Sequence, residues 1–215
     1  MLQLLDLELQ LAGQTLIHRF SLDIAKGEIV TLMGPSGCGK TSLLSGISGT
    51  LETPLHIKGA VLLNGKNLNA LKPHKRRIGR MFQDDVLFPH LTIGENLLFG
   101  MPKGKHSQRL FAMRQGLVEI ELDGFEDRAP HTLSGGQRQR VSLMRSLLAK
   151  PDCMLLDEPF SKLDQSLRGS IAQKTFEILK QYKIPTLLVT HHLDDAPTDG
   201  RILQITPQGN VVDVR

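Results

Sequence analysis

The stretch Gly34-Pro35-Ser36-Gly37-Cys38-Gly39-Lys40-Thr41 fits the pattern GxxxxGK[ST], and its surroundings give the pattern meaning. Residues 29–33 before it form a short apolar run of strand type, and residues 41–47 after it read as a helix. A strand, a glycine-rich turn and a helix start are what phosphate binding requires. Gly37 and Gly39 let backbone N–H groups converge on phosphate oxygens, and the helix adds the positive end of its dipole. Lys40 supplies a point charge for the β- and γ-phosphates. Thr41 supplies a hydroxyl for Mg²⁺.

Two further segments extend this chemistry. Met154-Leu155-Leu156 runs into Asp157 and Glu158. Two carboxylates ending an apolar strand are costly unless they are used. Opposite a phosphate loop, Asp157 is the natural holder of Mg²⁺, and Glu158 is the candidate base that orients an attacking water. Ser134-Gly135-Gly136-Gln137 precedes a helix at 138–149 and makes a second anion-binding helix start. One triphosphate cannot fill both starts if they lie far apart on one subunit, so the second implies a partner subunit.

Around these segments the chain reads as alternating strands and helices. Residues 1–28 are two strands joined by a turn near Gly13, with Leu5, Leu7, Leu9 and Leu11 alternating with Asp6, Glu8 and Gln10. Further strands are expected at 57–63, 78–82, 153–157, 186–190 and 202–206, with a turn at Asn64-Gly65. Between 84 and 149 the pattern is helical. Thr92-Ile93-Gly94-Glu95 fits a capping box. A helix at 107–116 is expected to stop at Gly116, and another spans 134–149. A last helix covers 165–182. Apolar strands alternating with helices indicate a parallel sheet covered on both faces.

Composition sets the outer limits. The chain has 215 residues, which suits one domain with an inserted subdomain. With 26 Lys+Arg against 22 Asp+Glu the net charge is only +4. The one basic run, Lys72, His74, Lys75, Arg76 and Arg77, reads as a solvated loop before a strand, so no nucleic-acid partner is expected. The two cysteines, Cys38 and Cys153, form no disulfide framework and fit a reduced, cytosolic compartment. No apolar run approaches the ~18 residues that a membrane span needs, and the N-terminus reads as a strand rather than a leader. Any membrane role is expected through a partner.

Leu133 to Gln137, with the segments above, makes the chain resemble the ATPase subunit of ATP-binding-cassette (ABC) transporters along nearly its whole length. The resemblance implies an α/β fold: a RecA-like P-loop NTPase core with an N-terminal antiparallel β-subdomain and an inserted helical subdomain. Residues 1–83 and 150–215 would form the first two and residues 84–149 the third. It implies ATP and Mg²⁺ as ligands and ATP hydrolysis as the activity. Gly34 to Thr41, with Ser42, corresponds to the Walker A loop. Gln83 corresponds to the glutamine that touches Mg²⁺ and the attacking water. Ser134, Gly135, Gly136 and Gln137 belong to the signature that contacts the γ-phosphate of the opposite subunit. Asp157 and Glu158 end Walker B, Asp164 lies in the D-loop at the dimer interface, and His191 corresponds to the switch histidine. The implied partners are a second ATPase subunit in a head-to-tail dimer, integral-membrane permease subunits and a solute-binding protein. The implied location is the cytoplasmic face of the membrane, reached through the permease.

The segment from Phe82 to Thr92 (FQDDVLFPHLT) looks like importer ATPases for iron, thiamine, polyamines, molybdate and sugars, in which it receives the permease's coupling helix. The chain ends soon after its last strands, so the compact thiamine-like importers are the closer comparison. Soluble ABC ATPases acting on DNA or ribosomes usually carry two cassettes or a long insert. Efflux and lipoprotein-release ATPases fit the LFPHLT segment less well. Three departures stand out: Leu11 where the family carries an adenine-stacking aromatic, Lys40-Thr41-Ser42 in place of Lys-Ser-Thr, and His192 where Asp is common.

Overall fold

The computed structural model describes residues 1–163 and 165–215. Two sheets organise them. Strands β1 (Leu2–Leu11), β2 (Gln14–Ile24), β4 (Leu55–Leu63) and β5 (Lys66–Asn67) form an antiparallel sheet in the order β2-β1-β4-β5. Strands β3 (Ile29–Met33), β6 (Ile78–Met81), β7 (Cys153–Asp157), β8 (Thr186–Thr190), β9 (Arg201–Ile205) and β10 (Val211–Asp213) form the second, in the order β10-β9-β3-β8-β7-β6. All of its neighbours run parallel except the β9–β10 edge. Helix α1 (Lys40–Ser48) follows β3. Helices α2 (Ile93–Gly100), α3 (His106–Glu119) and α4 (Gly135–Leu148) separate β6 from β7, and α5 (Gln165–Gln181) separates β7 from β8.

The alternation of leucines in β1 does not hold in the way the sequence predicts. Leu2, Leu4, Leu7 and Leu9 are buried, whereas Leu5 and Leu11 are 39% and 38% exposed. A bulge changes the parity: pairing with β4 jumps from Leu5–Ala60 to Glu8–Lys58, and Asp6 takes φ +48°. Gly59 faces this bulge, where a Cβ would lie 2.4 Å from the Asp6 carbonyl oxygen. Only glycine fits there.

Helix α3 runs to Glu119, past the stop expected at Gly116. A Cβ on Gly116 would come within 3.0 Å of Met144 on α4. The glycine lets two helices approach and does not terminate one. Arg76, expected in a solvated run, is buried. Its guanidinium donates to the carbonyls of Gly46 and Ile47 at the end of α1, at 3.2 and 2.7 Å, and to those of Asn69 and Leu71. It caps the helix and answers its negative dipole end, and burial lowers its pKa from the usual arginine range. The flanking Lys72, His74, Lys75 and Arg77 are exposed.

Two hydrophobic cores lie on opposite faces of the parallel sheet. One joins Met154, Leu156 and Leu188 to the apolar faces of α2–α5. The other joins Cys153, Leu155, Leu187 and Val189 to α1 and the antiparallel sheet. Burial pushes the Cys153 thiol up to about 12, so it packs as an inert apolar group.

Candidate nucleotide site

Parallel pairing brings the chemistry together. Strands β3, β8, β7 and β6 are consecutive neighbours, with Met33 beside Thr190, Asp157 beside Val189 and Met81 beside Leu156. Their C-terminal ends therefore share one edge of the sheet. That edge carries the glycine-rich loop, the acid pair, His191 and Gln83, where open α/β sheets bind ligands.

In the loop, Gly37 and Gly39 take φ +80° and +97°, a left-handed backbone that glycine adopts without strain. Gly39 also lies so close to Leu9 that a Cβ would sit 2.8 Å from its Cδ2. Helix α1 begins here, so the N–H groups of its first turn lack intrahelical acceptors. Lys40 is buried, and its Nζ donates to the carbonyls of Gly34 and Pro35 at 2.8 and 2.9 Å. An ammonium has three N–H donors, so one is left for an incoming anion. Ser42 is half-buried in the first turn.

Thr41 Oγ1 donates to Asp157 Oδ1 at 2.9 Å, joining loop to acid pair across the sheet edge. The other oxygen, Oδ2, accepts from Arg80 Nη2 at 2.9 Å. A hydroxyl and a carboxylate are hard oxygen donors that suit Mg²⁺. Two are too few for an all-protein site, which fits a cation bound together with phosphate oxygens and water. Glu158 adopts φ +45°, uncommon for a residue with a side chain. It is held there by its N–H to the Val189 carbonyl at 2.9 Å and by Ser161 Oγ on its own carbonyl at 2.9 Å. Strain of this kind clusters at functional sites. The Glu158 carboxylate meets His191 Nδ1 at 3.1 Å, and the His191 and His192 rings lie 3.9 Å apart.

The chain after β8 is braced from below. Thr190 Oγ1 donates to Asp195 at 2.6 Å, and Arg168 grips the same carboxylate with two bonds of 2.5 and 2.7 Å. Asp195 is fully buried.

Gln83 is exposed just beyond β6, and its side chain makes no hydrogen bond among the described residues. Its neighbours reach outward instead: Asp85 accepts from Arg138 at 2.7 Å, and Asp84 pairs with Lys162. Ser134 and Gly135 are exposed at the start of α4. Ser134 and Gln137 close a reciprocal capping box, with Gln137 Oε1 accepting from the Ser134 N–H at 2.9 Å. Gly136 is pressed against Ile171, which a Cβ would meet at 2.5 Å. Helix α4 packs on α2, α3, α5 and β6, whereas α1 packs on β4 and β7. The starts of α1 and α4 thus belong to different layers. Asp164 lies outside the described residues.

A cavity of about 370 Å³ adjoins the loop, walled by Thr15, Leu16, Pro35–Cys38 and the turn 206–209. Leu11 is not in that wall; it lies one hairpin turn away, paired with Gln14 and Leu55. Among the described residues, no aromatic side chain lines the cavity.

A family model for the ABC transporter matches residues 17–161, which contain the loop, the signature and the acid pair. The chain belongs to the ABC transporter family. This ABC ATPase is 41% identical over 206 residues to the "Uncharacterized ABC transporter ATP-binding protein YnjD" of Escherichia coli (strain K12), covering 95% of each chain. It is 38% identical over 205 residues to "Fe(3+) ions import ATP-binding protein FbpC 1" of Pectobacterium atrosepticum, covering 93% of this chain but 56% of that protein. The ABC ATPase chain thus spans slightly more than half of that iron-import relative. Among solved structures it superposes on the ATP-binding cassette MJ0796, described as a dimeric post-hydrolysis state bound to ADP and Pi. The TM-score is 0.79 at 29% identity, with 100% of this chain and 99% of that chain covered. No described helix of this ABC ATPase is long and apolar enough to cross a membrane.

Sequence reasoning missed Arg80, the Arg168–Asp195 brace and buried Asn96. Asn96 holds the 88–92 segment by bonding both backbone groups of Phe88, at 2.8 and 3.1 Å, and the Thr92 carbonyl at 2.9 Å. One signal was available: a lone cation in the strand Ile78–Met81.

Proposed function

We propose that this chain hydrolyses MgATP at a site completed by a second copy and thereby drives solute import through a membrane permease. The observation that carries the reading is the Thr41–Asp157 contact beside the Glu158–His191 pair, at one sheet edge. Lys40 and the amides of Gly37 to Thr41, with the loop residues Pro35, Ser36, Cys38 and Ser42 around them, take the phosphates. Thr41, Asp157 and Gln83 would hold Mg²⁺, which would supply charge neutralisation to the phosphates. Glu158 accepts the proton of the water that adds to the γ-phosphorus as the bridge to the β-phosphate breaks, giving ADP and phosphate. His191 fixes the orientation of the Glu158 carboxylate. Ser134, Gly135, Gly136 and Gln137 face the γ-phosphate held by the partner copy, with Asp164 at the same interface.

The import reading is supported by likeness to the iron-import relative and by the surface near the 88–92 segment. There Phe99 is 68% and Val86 52% exposed, and the Phe99 ring lies 4.6 Å from that of Phe88. An apolar patch of this kind fits the cytoplasmic segment of a permease. Such docking would bring the ATPase to the membrane, with a solute-binding protein as the distal partner.

The head-to-tail arrangement is tested by mixing. Neither Ser134→Arg nor Lys40→Ala alone should hydrolyse ATP. A mixed dimer has one site with an intact loop and an intact signature, and one site broken twice. The mixture is expected to recover up to about a quarter of wild-type turnover, from random pairing with one working site in half of the dimers. No recovery in a steady-state ATPase assay counts against the arrangement.

Base recognition should be weak. The cavity beside the loop offers Leu16 in place of a stacking ring, which forgoes ~1 kcal/mol. Phosphate contacts are common to all nucleoside triphosphates. ATP and GTP affinities are therefore expected to agree within about fivefold. Paired titrations decide it, and a strong ATP preference would mean that another residue reads the base.

A further inference from the structure

Arg80 stands in β6, where its neighbours Ile78, Gly79 and Met81 carry no charge. Its side chain is only 10% exposed. Nη2 donates to Asp157 Oδ2 at 2.9 Å and to the Thr41 carbonyl at 3.4 Å. Nη1 donates to Ser45 Oγ at 2.9 Å and to Thr50 Oγ1 at 3.4 Å. The Phe82 ring covers the guanidinium, 4.6 Å from Cζ to its centroid, and Nε finds no acceptor among the described residues. One largely covered cation thus touches both the acid at the end of β7 and the helix that follows the phosphate loop.

The two oxygens of Asp157 are divided by this arrangement. Oδ2 is held by Arg80, and Oδ1 is turned to the Thr41 hydroxyl. We propose that Arg80 is a positioning residue and a built-in counter-cation for Asp157, and that it sets how strongly nucleotide binding depends on Mg²⁺. The inference rests on the reading of Thr41 and Asp157 as the Mg²⁺ site. A carboxylate at the phosphate loop repels a polyphosphate unless positive charge lies nearby. Arg80 supplies one such charge permanently, so the metal-free site tolerates nucleotide. The same charge makes Asp157 a weaker attractor for Mg²⁺, so the metal adds less than it otherwise would.

Arg80 also bridges β6 to α1, and a simple brace would have a different signature. Losing a brace weakens nucleotide binding equally with and without metal. Losing a counter-cation weakens it mainly without metal, and the loss is repaired when the carboxylate is neutralised too.

The experiment titrates a fluorescent ATP analogue (methylanthraniloyl-ATP) into the full chain, in excess Mg²⁺ and in excess EDTA. Arg80→Met is expected to lose about tenfold affinity in EDTA and less than about twofold in Mg²⁺. Arg80→Lys keeps the charge and should stay near wild type. Adding Asp157→Asn to Arg80→Met should restore most of the affinity in EDTA. If Arg80→Met does not fold by circular dichroism, Arg80→Gln is read in its place, since it keeps polarity without charge. Equal losses in both conditions, or no recovery in the double variant, would overturn the role of Arg80. A charge-removed variant that binds the analogue but ignores Mg²⁺ altogether would instead overturn the Thr41–Asp157 metal assignment.

Discussion

Glu158→Gln is expected to lower ATP turnover by at least ~10²-fold while leaving nucleotide binding intact. The substitution keeps the shape of the side chain and removes its basicity. The backbone geometry should survive, because φ +45° is held by the Val189 carbonyl and Ser161, both of which bond the Glu158 main chain. His191 Nδ1, 3.1 Å from the carboxylate, still finds an amide oxygen to bond. What is lost is the basic carboxylate proposed to accept the water proton. Unhydrolysed ATP then persists, so the variant is expected to accumulate as a nucleotide-bound dimer. The checks are a steady-state ATPase assay and light scattering with ATP present. Turnover within a few-fold of wild type would remove Glu158 from the role of base.

The second large effect belongs to Lys40→Ala, which should weaken MgATP binding by about 100-fold or more, equivalent to ~3 kcal/mol. Lys40 is the only cationic side chain in the loop from Gly34 to Thr41. Its stem is buried and its ammonium is pinned by the carbonyls of Gly34 and Pro35, so the charge is already in place before nucleotide arrives. Little side-chain entropy is then lost on binding. Alanine removes the charge and takes away the Gly34 carbonyl's donor, while the Pro35 carbonyl keeps only the Cys38 N–H at 3.4 Å. A modest drop in stability of ~1 kcal/mol is therefore expected alongside the binding defect. Calorimetric titration with MgATP separates the two effects, and unchanged affinity would refute the assignment.

Much of this architecture is legible without coordinates. β3, β7 and β8 fall at the residues expected from their apolar runs, since a strand buried on both faces has an unmistakable composition. The capping box at Thr92 depends on residues three apart and so is readable locally. Failures occur where a partner distant in sequence decides. The bulge at Asp6 depends on Gly59, the continuation of α3 on Met144, and the burial of Arg76 on the end of α1. Asp157 and Glu158 stand out as paired acids after an apolar run. Arg80 does not, because its value comes from Asp157, 77 residues later. A local pattern reports what one segment prefers, and such residues are defined by what another segment leaves unpaired.

Strand β7 has a further consequence for how such a chain can change over generations. Its odd and even residues belong to different cores: Cys153 and Leu155 to one, Met154 and Leu156 to the other. Swapping one apolar residue for another respects this division. Deleting or inserting a single residue does not. It would exchange the occupants of the two interiors and, in the same step, turn Asp157 away from Thr41. The length of this five-residue strand is therefore far less free to drift than its composition.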